Sequence, residues 1–324
     1  MDDSDYHNMH RIFTDCNKGI NMKKVNVLLS AYNGEKYIEE QIESILNQTH
    51  TNLELYVRDD GSKDNTLAVL KKYEDNPLVH VIKGENVGFI KSFLELVRLC
   101  SDADFYAYSD QDDVWFPGKL EMAMEFFERE QKNHEIPILY FSNYDFYNGN
   151  MEFVEHAKTP SITPSFHNAL VDCLSLGFNS VFNHCARSMI CEQMPEHSCG
   201  HDWWTYMVCV AMGKVIYDDR PTVCYRRHGS NVSAGGMSFL KFQIWRLKKF
   251  FLNDYFSNIR RQMREFYDFY RDRLLPEDRK LLELFCQEKY RISTALKKTF
   301  YSKRYRGKMT DELMVRFIML IGKL

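Results

Sequence analysis

The chain has 324 residues, of which 44% are hydrophobic, 14% aromatic and 27% charged. This length and composition are typical of a globular protein with a sizeable core, and they exclude a disordered or fibrous chain. We find no signal-peptide pattern and no apolar run long enough to span a bilayer. We therefore expect a cytoplasmic protein, with peripheral attachment to the inner face of the cell membrane left open.

The net charge of −3 is unevenly distributed along the chain. From Leu240 to the C-terminus there are 21 Lys and Arg against 10 Asp and Glu, whereas the preceding part has 21 against 35. An acidic body with a basic, aromatic-rich tail indicates a surface for an anionic partner. The nine cysteines include no CxxC motif, which favours structural thiols in a reducing compartment.

Strand and helix patterns alternate through the first third of the chain. Short apolar runs predict strands at 25–30, 53–57, 79–82 and 105–108. Helical spacing of apolar residues follows each of the first three runs, and we expect Asn33 and Asp64 to cap the first two helices. This alternation predicts a mostly parallel sheet with helices on both faces.

Polar clusters follow the predicted strands. The segments are 58–62 (RDDGS), 84–88 (GENVG) and 109–113 (SDQDD). Because the carboxyl ends of parallel strands meet at one edge of a sheet, these clusters should lie together, where ligands bind in doubly wound folds. The third cluster holds Asp110, Asp112 and Asp113, whose like charges repel and favour a hard cation such as Mg²⁺ or Mn²⁺.

The remaining chain predicts fewer regular elements. We expect a helix over about 119–132, a strand over 138–144 and a loop over 145–166. Two motifs stand out further on, 200–204 (GHDWW) and the strand 222–225 running into 226–231 (RRHGSN). From Ser238 onward the pattern is of helices with aromatic faces, such as Phe251, Tyr255, Phe266, Tyr267 and Tyr270.

These motifs, in this order, closely resemble the inverting family 2 glycosyltransferases of the GT-A fold. The matching segments are 27–33 (VLLSAYN), 48–49 (QT), 58–62 (RDDGS) with Asp64 and Thr66, 86–88 (NVG), 110–112 (DQD), 201–202 (HD) and 225–228 (YRRH). The forms SDQDDVW, HDWW and YRRHGSN look most like the bacterial rhamnosyltransferase branch. The ordered set is specific, although each motif alone is weak.

The resemblance implies an α/β fold of the GT-A type, Rossmann-like, with a mostly parallel sheet flanked by helices and a C-terminal helical extension. We expect the GT-A domain to cover 23–236 and a basic, aromatic helical region to cover 237–324. Residues 1–22 are expected to be a disordered N-terminal extension, and the start of translation at Met1 or Met22 stays open.

The resemblance also implies a pocket for a nucleotide-sugar donor. Asp60 would accept the imide N–H of uracil or thymine, and Tyr32 would stack on that base. The other residues that the resemblance places beside the donor are Ser30, Ala31, Asn33, Gly88, Asp110, Gln111 and Arg226. The structural alternatives are that 60–62 is only a turn and cap, and that Arg226 is a solvated cation.

A divalent metal site and a catalytic base complete the implied machinery. Asp112 would bind Mn²⁺ or Mg²⁺, with His228 as a further ligand to the metal or the diphosphate, and Asp113 would orient its neighbours. Asp202 would be the base that deprotonates the acceptor hydroxyl, with Trp203 and Trp204 at the acceptor. The alternative is that Asp202 caps a helix beginning at Trp203 and that both indoles belong to the core.

We therefore expect an inverting, metal-dependent glycosyltransferase that moves a sugar, most simply L-rhamnose from dTDP-rhamnose, to a saccharide acceptor. That acceptor is expected to be lipid-linked and destined for a surface polysaccharide. The alternatives are a UDP-hexose donor and, in another class, a catalytically silent sugar-nucleotide or glycan-binding module.

The basic tail has two open uses, which are docking on an anionic membrane surface through its helices and packing on protein. Nothing supports nucleic-acid binding, and an oligomer is possible. The missing GxGxxG after the first strand disfavours a Rossmann dehydrogenase.

Overall fold

The computed structural model describes residues 22–130, 135–228 and 255–324. The strands in these residues are β1 Val25–Ala31, β2 Leu53–Asp59, β3 Val79–Lys83, β4 Phe105–Ser109, β5 Val114–Trp115, β6 Ile138–Tyr147, β7 Phe153–His156, β8 Ser180–Asn183 and β9 Lys214–Arg226. They form one sheet in the order β3-β2-β1-β4-β8-β6-β9-β5, and β7 pairs with β6.

Helices cover both faces of this sheet. Those of the described residues are α1 Ile38–Leu46, α2 Thr66–Leu70, α3 Phe89–Leu99, α4 Lys119–Arg129, α5 Phe166–Ala169, α6 His184–Glu192, α7 His201–Met212, α8 Tyr255–Tyr270, α9 Pro276–Phe285, α10 Ile292–Thr299 and α11 Met309–Leu320. None of these helices is both long and apolar enough to cross a bilayer. No disulfide joins any two of the eight cysteines within the described ranges.

The first four strands form the parallel part of the sheet, as predicted. β1 pairs in parallel with both β2 and β4, and β2 pairs in parallel with β3. In this register Ser30 lies opposite Arg58 and Leu29 lies opposite Ser109. The polar segments that follow β1, β2, β3 and β4 therefore emerge at the same edge, which confirms the sequence-based expectation.

The other half of the sheet is mixed rather than parallel. β8 pairs antiparallel to β4 and β6, β9 pairs parallel to β6, and β5 pairs antiparallel to β9. β9 has 13 residues, far more than the predicted 222–225, and β7 lies in the segment expected to be a loop. All four residues of β7 are exposed, so no alternation of apolar and polar residues marks this strand in the sequence.

The core has a layer on each face of the sheet. Successive β1 side chains alternate, with Leu28 in one cluster and Val27 and Leu29 in the other. The first cluster also contains α3, α6, α7 and the C-terminal helices, and the second contains α1, α2 and α4. The C-terminal region thus adds to one core layer of the sheet domain.

Helix α8 packs its apolar face against α7. Its fully buried side chains include Ile259, Met263, Phe266 and Tyr270, which share one helix face. The ring of Phe266 meets Trp204 edge to face with centroids 5.4 Å apart. These aromatic residues of the tail therefore pack on protein. Phe251 lies outside the described residues.

Two predicted helix caps differ in outcome. Asn33 does not cap α1, because the helix begins at Ile38 and Tyr37 occupies the N-cap position. Asn33 instead adopts φ 50°, in the left-handed region that short polar side chains tolerate. Asp64 does satisfy the first turn of α2, since its Oδ1 accepts the backbone N–H of Thr66 at 3.0 Å.

Candidate active site

Three carboxylates lie together in the loop that joins β4 to β5. One ligand oxygen each from Asp110, Asp112 and Asp113 lies within 4.8 Å of the other two. Asp113 is fully buried, whereas the other two are partly exposed. The Asp113 Oδ2 has no hydrogen-bond partner among the described residues. Hard oxygen ligands at this spacing suit Mg²⁺ or Mn²⁺, so the donor set fits the expected divalent cation.

Repulsion among the three carboxylates makes their ionised forms unfavourable unless a positive charge compensates them. Burial, with the nearby charges of Asp112 and Asp202, raises the pKa of Asp110 to about 8. Burial and the charges of Asp112 and Asp110 raise the pKa of Asp113 well above its ordinary range. The same interactions show that Asp202, far away in the sequence, lies close enough to affect the cluster. A cation here would favour the ionised carboxylates.

The end of β9 is attached to the acidic loop. The Nε2 of His228 lies 2.8 Å from Asp112 Oδ2, so the two expected metal ligands are neighbours. The backbone N–H of Arg226 donates to Asp113 Oδ1 at 3.0 Å, and its Nε donates to the Asp112 carbonyl at 2.8 Å. Strand β9 therefore sets the positions of both aspartates.

Arg226 is itself buried at the end of β9. Its side chain is 3% exposed, pairs with Glu40 and lies over the Tyr37 ring, with the guanidinium carbon 4.5 Å from the centroid. The guanidinium thus already has protein partners, and the position beside the donor predicted for Arg226 stays a prediction. Helix α1 brings Glu40 to a residue 186 positions away, a proximity that the sequence does not encode locally.

The residues after β1 bridge the acidic loop and the 58–62 segment. The Gln111 side chain accepts the Tyr32 N–H at 2.8 Å and donates to the Tyr32 carbonyl at 3.0 Å, while the Tyr32 ring is 40% exposed. The Asn33 N–H donates to Ser62 Oγ at 2.9 Å, and Asn33 Oδ1 accepts the Lys63 N–H at 2.8 Å. An exposed ring held by its own backbone is suited to stacking on a flat ligand.

Asp60 has structural partners on both carboxylate oxygens. Oδ1 accepts the Val87 N–H at 3.0 Å and pairs with Arg58, and Oδ2 accepts the Gly88 N–H at 2.9 Å. The carboxylate is 2% exposed. Asp60 thus holds the 86–88 segment against β2, and the base-binding role predicted for it stays a prediction. An Asp60→Ala exchange would strand the buried Arg58 charge, so it is not a clean test of base binding.

Ser30 and Ala31 contribute in different ways to this edge. Ser30 Oγ donates to Ser92 Oγ at 2.6 Å, which ties β1 to α3. Ala31 is fully buried, and its carbonyl accepts the Asp60 N–H at 2.7 Å. Ala31 therefore has no side-chain surface to offer a donor.

Asp202 lies in the first turn of α7, next to Gly200 at the N-cap. Its Oδ1 accepts the Trp203 N–H at 2.8 Å, and its Oδ2 accepts the Gly177 N–H at 3.1 Å. The positive end of the helix dipole favours an ionised carboxylate at this position. The helix begins at His201 with Gly200 at the N-cap, so Asp202 is not the cap of a helix starting at Trp203, and the role of base predicted for it stays a prediction.

The two tryptophans after Asp202 have different environments. Trp204 is 0% exposed and packs among Phe266, Phe269 and Tyr270, so the expectation that it contacts an acceptor is wrong. Trp203 is 8% exposed, and its Nε1 donates to the Ala169 carbonyl at 2.7 Å. Consecutive helix residues point about 100° apart, so only one indole can face outward.

A cleft of about 570 Å³ opens beside Trp203. It is lined by Phe89 and Ile90 of α3, the segment 196–199, and residues of α8 including Asn258 and Arg261. Aromatic faces beside polar side chains suit a carbohydrate ligand. The sequence analysis missed the contribution of α8, because this helix lies outside the motifs.

Helix α8 also holds the segment that leads into Asp202. The two oxygens of Glu265 accept the backbone N–H groups of Glu196 and His197 at 2.7 and 2.8 Å. The Gln262 Oε1 accepts the Cys199 N–H at 2.7 Å. Glu265 and Gln262 are therefore positioning residues for this segment. Only their spacing on one helix face could have pointed to them in the sequence.

Comparisons with known proteins identify the family and the fold. The model of the family described as "Glycosyl transferase family 2" matches residues 26–194. The chain belongs to glycosyl transferase family 2. The match includes the acidic loop but ends before α7, so the family model itself does not test the assignment of Asp202.

Curated relatives extend the likeness. The dTDP-rhamnosyl transferase RfbG of Shigella flexneri is 27% identical over 222 residues, which is 65% of this chain and 75% of that protein. The protein named UDP-Glc:alpha-D-GlcNAc-diphosphoundecaprenol beta-1,3-glucosyltransferase WfgD, from Escherichia coli, is 28% identical over 47% of this chain and 58% of its own length. Chondroitin synthase of E. coli is 39% identical, but over 33% of this chain and 16% of its own. The chain spans less than two thirds of these last two relatives.

Solved structures confirm the fold. S. aureus TarS 1–349, in complex with UDP-GlcNAc, has a TM-score of 0.58 at 16% identity, covering 93% of this chain and 81% of its own. The Pyrobaculum calidifontis mannosyltransferase PcManGT, in complex with GDP-Man and Mn²⁺, has a TM-score of 0.50 at 16% identity, covering 96% and 80%. The chain is thus an α/β glycosyltransferase of the GT-A fold, and the family acts in polysaccharide synthesis.

His201 generates a prediction about acid stability. Its ring stacks on Phe93 with centroids 3.9 Å apart, and neither ring nitrogen has a hydrogen-bond partner among the described residues. Burial lowers the pKa of His201 to about 4, although the charge of Asp202 opposes this shift. Below the ordinary pKa of 6.5, His201 becomes protonated in the unfolded chain but stays neutral in the folded protein. The contribution of neutral, buried His201 to the unfolding free energy is therefore fully present above pH 6.5 and is lost as the pH falls toward 4.

We expect His201 to contribute a slope of up to about 1.4 kcal/mol in unfolding free energy per pH unit in this window. Urea unfolding of the native protein and of His201→Leu, at neutral and at mildly acidic pH, measures it. The slope should shrink in His201→Leu and persist in the control His197→Leu, whose ring is exposed. Equal slopes in all three proteins would show that His201 is not the titrating group.

Glu265 generates a second prediction. Glu265→Ala removes both hydrogen bonds to the 196–197 backbone, so the segment before Asp202 should move. A displacement of about 1 Å costs as much as 10²-fold in rate, and we expect kcat for sugar transfer to fall by at least about tenfold. The KM for the donor should change little, because the acidic loop makes no contact with Glu265.

The matched control is Asp268→Ala, on the same helix but 59% exposed and paired with Arg271. It should leave kcat unchanged. A loss of donor binding in Glu265→Ala, or an equal loss of kcat in both variants, would count against a positioning role for Glu265.

Proposed function

We propose that this family 2 enzyme transfers L-rhamnose from dTDP-rhamnose, with inversion, to a saccharide acceptor that is lipid-linked and destined for a cell-surface polysaccharide. The observation that supports this mechanism is that the charge of Asp202, in the first turn of α7, acts on Asp110 of the acidic loop, while the neighbouring Trp203 lines a cleft. Donor chemistry and proton removal need separate carboxylates at one place, and this edge of the sheet brings them together.

The choice of donor rests on the relatives. The relative that covers the largest share of this chain among those described above is named a dTDP-rhamnosyl transferase. A UDP-hexose remains the second candidate, because WfgD is named for UDP-Glc and TarS was solved with UDP-GlcNAc. A catalytically silent binding module is disfavoured, because Asp112, Asp202 and His228 are all present together.

The donor would lie across the carboxyl edge of β1, β2 and β4. The exposed Tyr32 ring is suited to stacking on the base, with Ser30, Asn33 and Gln111 near it. Asp60 and Gly88 would shape the base pocket, and Asp110 would reach the ribose. The Ala31 side chain is buried, so Ala31 would contribute to the base pocket through its backbone.

Asp112, with Asp110, Asp113 and His228 near it, would hold Mg²⁺ or Mn²⁺. The bound cation supplies Lewis-acid stabilisation of the charge that develops on the departing diphosphate. Asp113 is itself fixed by the Arg226 backbone, so these ligands are preorganised by β9. PcManGT, of the same fold, was solved with Mn²⁺.

Asp202 would act as the base. The acceptor hydroxyl oxygen forms a bond to the anomeric carbon, the bond from that carbon to the phosphate oxygen breaks, and the diphosphate leaves with the electron pair. Asp202 takes the hydroxyl proton. Trp203 and the cleft beside it would orient the acceptor saccharide and exclude water.

A donor screen tests the proposal. Purified protein is mixed with dTDP-rhamnose and with UDP-hexoses, with Mg²⁺, with Mn²⁺ or with chelator, and both nucleotide-sugar binding and slow donor hydrolysis are measured. Preference for dTDP-rhamnose with a divalent ion supports it. A preference for a UDP-hexose would replace the donor, and full turnover in excess chelator would remove the metal from the mechanism.

Substitutions of Asp202 and Asp112 should differ in their effect on donor binding. Asp202→Asn should abolish transfer and keep donor binding, because the residue faces the acceptor. Asp112→Asn should weaken metal-dependent donor binding and lower kcat by about 10²-fold or more, as for the loss of a preorganised electrostatic group. The control Asp102→Asn, 79% exposed and away from the site, should change neither. Loss of the nucleotide in Asp202→Asn would assign that residue to the donor pocket instead.

A further inference from the structure

The last two helices, α10 and α11, each leave an apolar stripe uncovered by the described residues. The side chains in these stripes are spaced four residues apart and are 41–77% exposed: Ile292, Leu296, Phe300, Met309, Leu313 and Phe317. Residues spaced by four lie on the same side of a helix. Rows of exposed apolar side chains such as these are unusual on a monomeric protein and indicate an interaction site.

The opposite sides of both helices are buried. Ala295 of α10 is 2% exposed, and Val315, Ile318 and Met319 of α11 are 0–5% exposed. The exposed stripes are therefore not the result of loosely attached helices. Each helix therefore has one side that packs inside the protein and an apolar stripe on its exposed side.

Hydrogen bonds hold the helix pair together as a unit. Arg316 Nη1 donates to the Tyr301 carbonyl at 2.9 Å, just past the end of α10. The Tyr290 hydroxyl, just before α10, donates to the Leu320 carbonyl at 2.9 Å. These bonds place the start of α10 beside the end of α11, so the two helices run antiparallel. The aromatic and aliphatic exposure continues at Tyr290, Leu320 and Ile321, which are 57%, 37% and 43% exposed.

The charge around these stripes is mostly positive. The exposed cations of the segment from residue 289 to the C-terminus are Lys289, Arg291, Lys297, Lys303, Arg304, Lys308 and Lys323. The acids of the same segment are Asp311 and Glu312, and Glu312 is buried and paired with Arg316. Any occupant of this face therefore meets apolar side chains framed by positive charge.

We propose that α10 and α11 form a docking face for an anionic lipid bilayer. A bilayer surface offers both chemistries at once, because acyl chains accept the apolar stripes and acidic headgroups attract the surrounding cations. A second copy of this chain fits less well, because a symmetric contact would bring the same cations together. A nucleic acid would use the charge but leave the aliphatic side chains in water.

This face lies within the region 237–324, for which membrane docking and packing on protein were both left open. The predicted aromatic residues Phe266 and Tyr270 are fully buried on α8, and Tyr255 and Tyr267 are partly buried. Their helix serves the core and the active site, whereas α10 and α11 present the free stripes. The inference goes beyond the proposed reaction and does not depend on the donor sugar, although docking would bring the enzyme to a lipid-linked acceptor.

The test is sedimentation of the full-length protein with vesicles. One set contains phosphatidylcholine alone, and the other contains equal parts of phosphatidylcholine and phosphatidylglycerol. We expect the protein to pellet with the anionic vesicles at low salt, to stay in the supernatant with the neutral ones, and to bind more weakly at high salt. No binding to anionic vesicles at low salt would overturn the proposal.

Two variants separate the apolar from the electrostatic contribution. Leu296→Ser with Leu313→Ser and Phe317→Ser should lower partitioning to anionic vesicles by at least about tenfold, because three exposed apolar groups no longer leave water. The matched control is Phe153→Ser with Val154→Ser, since those side chains are 51% and 48% exposed on β7. This control should bind like the native protein.

The charge variant is Lys297→Glu with Lys303→Glu, and its control is Lys158→Glu with Lys280→Glu, at exposed positions outside this face. Only the first should lose binding at low salt. If the apolar triple variant binds like the native protein, the stripes are not inserted and the proposal fails.

Donor binding and thermal midpoint are measured for every variant. Both should stay unchanged, because the substituted side chains are exposed and belong neither to the acidic loop nor to the lining of the cleft. This readout separates the docking face from the proposed reaction, which fails instead in the donor screen. Concentration-dependent self-association that the triple variant abolishes, without vesicle binding by the native protein, would assign the face to a second copy.

Discussion

The repulsion among carboxylates at one edge of the sheet is the constraint on which the site depends. Asp110, Asp112, Asp113 and Asp202 come together there, and the protein compensates only part of their charge. The N-terminus of α7 favours Asp202, and the backbone N–H of Arg226 stabilises Asp113. What remains is a concentration of negative charge that raises the pKa values of Asp110 and Asp113.

A buried lysine beneath the acidic loop illustrates the same constraint. Lys119 is fully buried, its Nζ donates to the Phe178 carbonyl at 3.2 Å, and it lies 4.7 Å from the centroid of the Trp115 ring. Burial lowers the pKa of Lys119 to about 7, although the charge of Asp113 opposes this shift. A lysine so poorly solvated compensates Asp113 incompletely. This leaves room for a divalent cation on the solvent side.

The C-terminal helices have two separate surfaces, one packed against the sheet domain and one exposed. On the inner side, Trp204 packs on Phe266 and Tyr270, and Glu265 holds the segment before Asp202. Asp202 and the helix that carries it are thus supported by a region outside the family match, which ends at residue 194. On the outer side, α10 and α11 present apolar and cationic side chains. One helical region can therefore complete the active site and orient the enzyme toward a surface.

The sequence by itself determined the alternating first half of the fold and the position of the polar segments. Buried parallel strands read as short apolar runs, and the chain direction places their ends at one edge, so β1 to β4 and the Asp110–Asp113 loop were predictable. The mixed half was not, because β7 is fully exposed and β9 changes environment along its length, which removes the periodic signal.

Only the tertiary structure decided what each site residue touches. Trp203 and Trp204 are adjacent in sequence, yet the helix turns one toward the cleft and the other into the core. Arg226 has the charge and geometry of a phosphate ligand, but in the folded protein its guanidinium pairs with Glu40 of α1. Glu265 and the exposed stripes of α10 and α11 carry no motif. Their roles come from long-range packing, which brings together residues that local patterns describe separately.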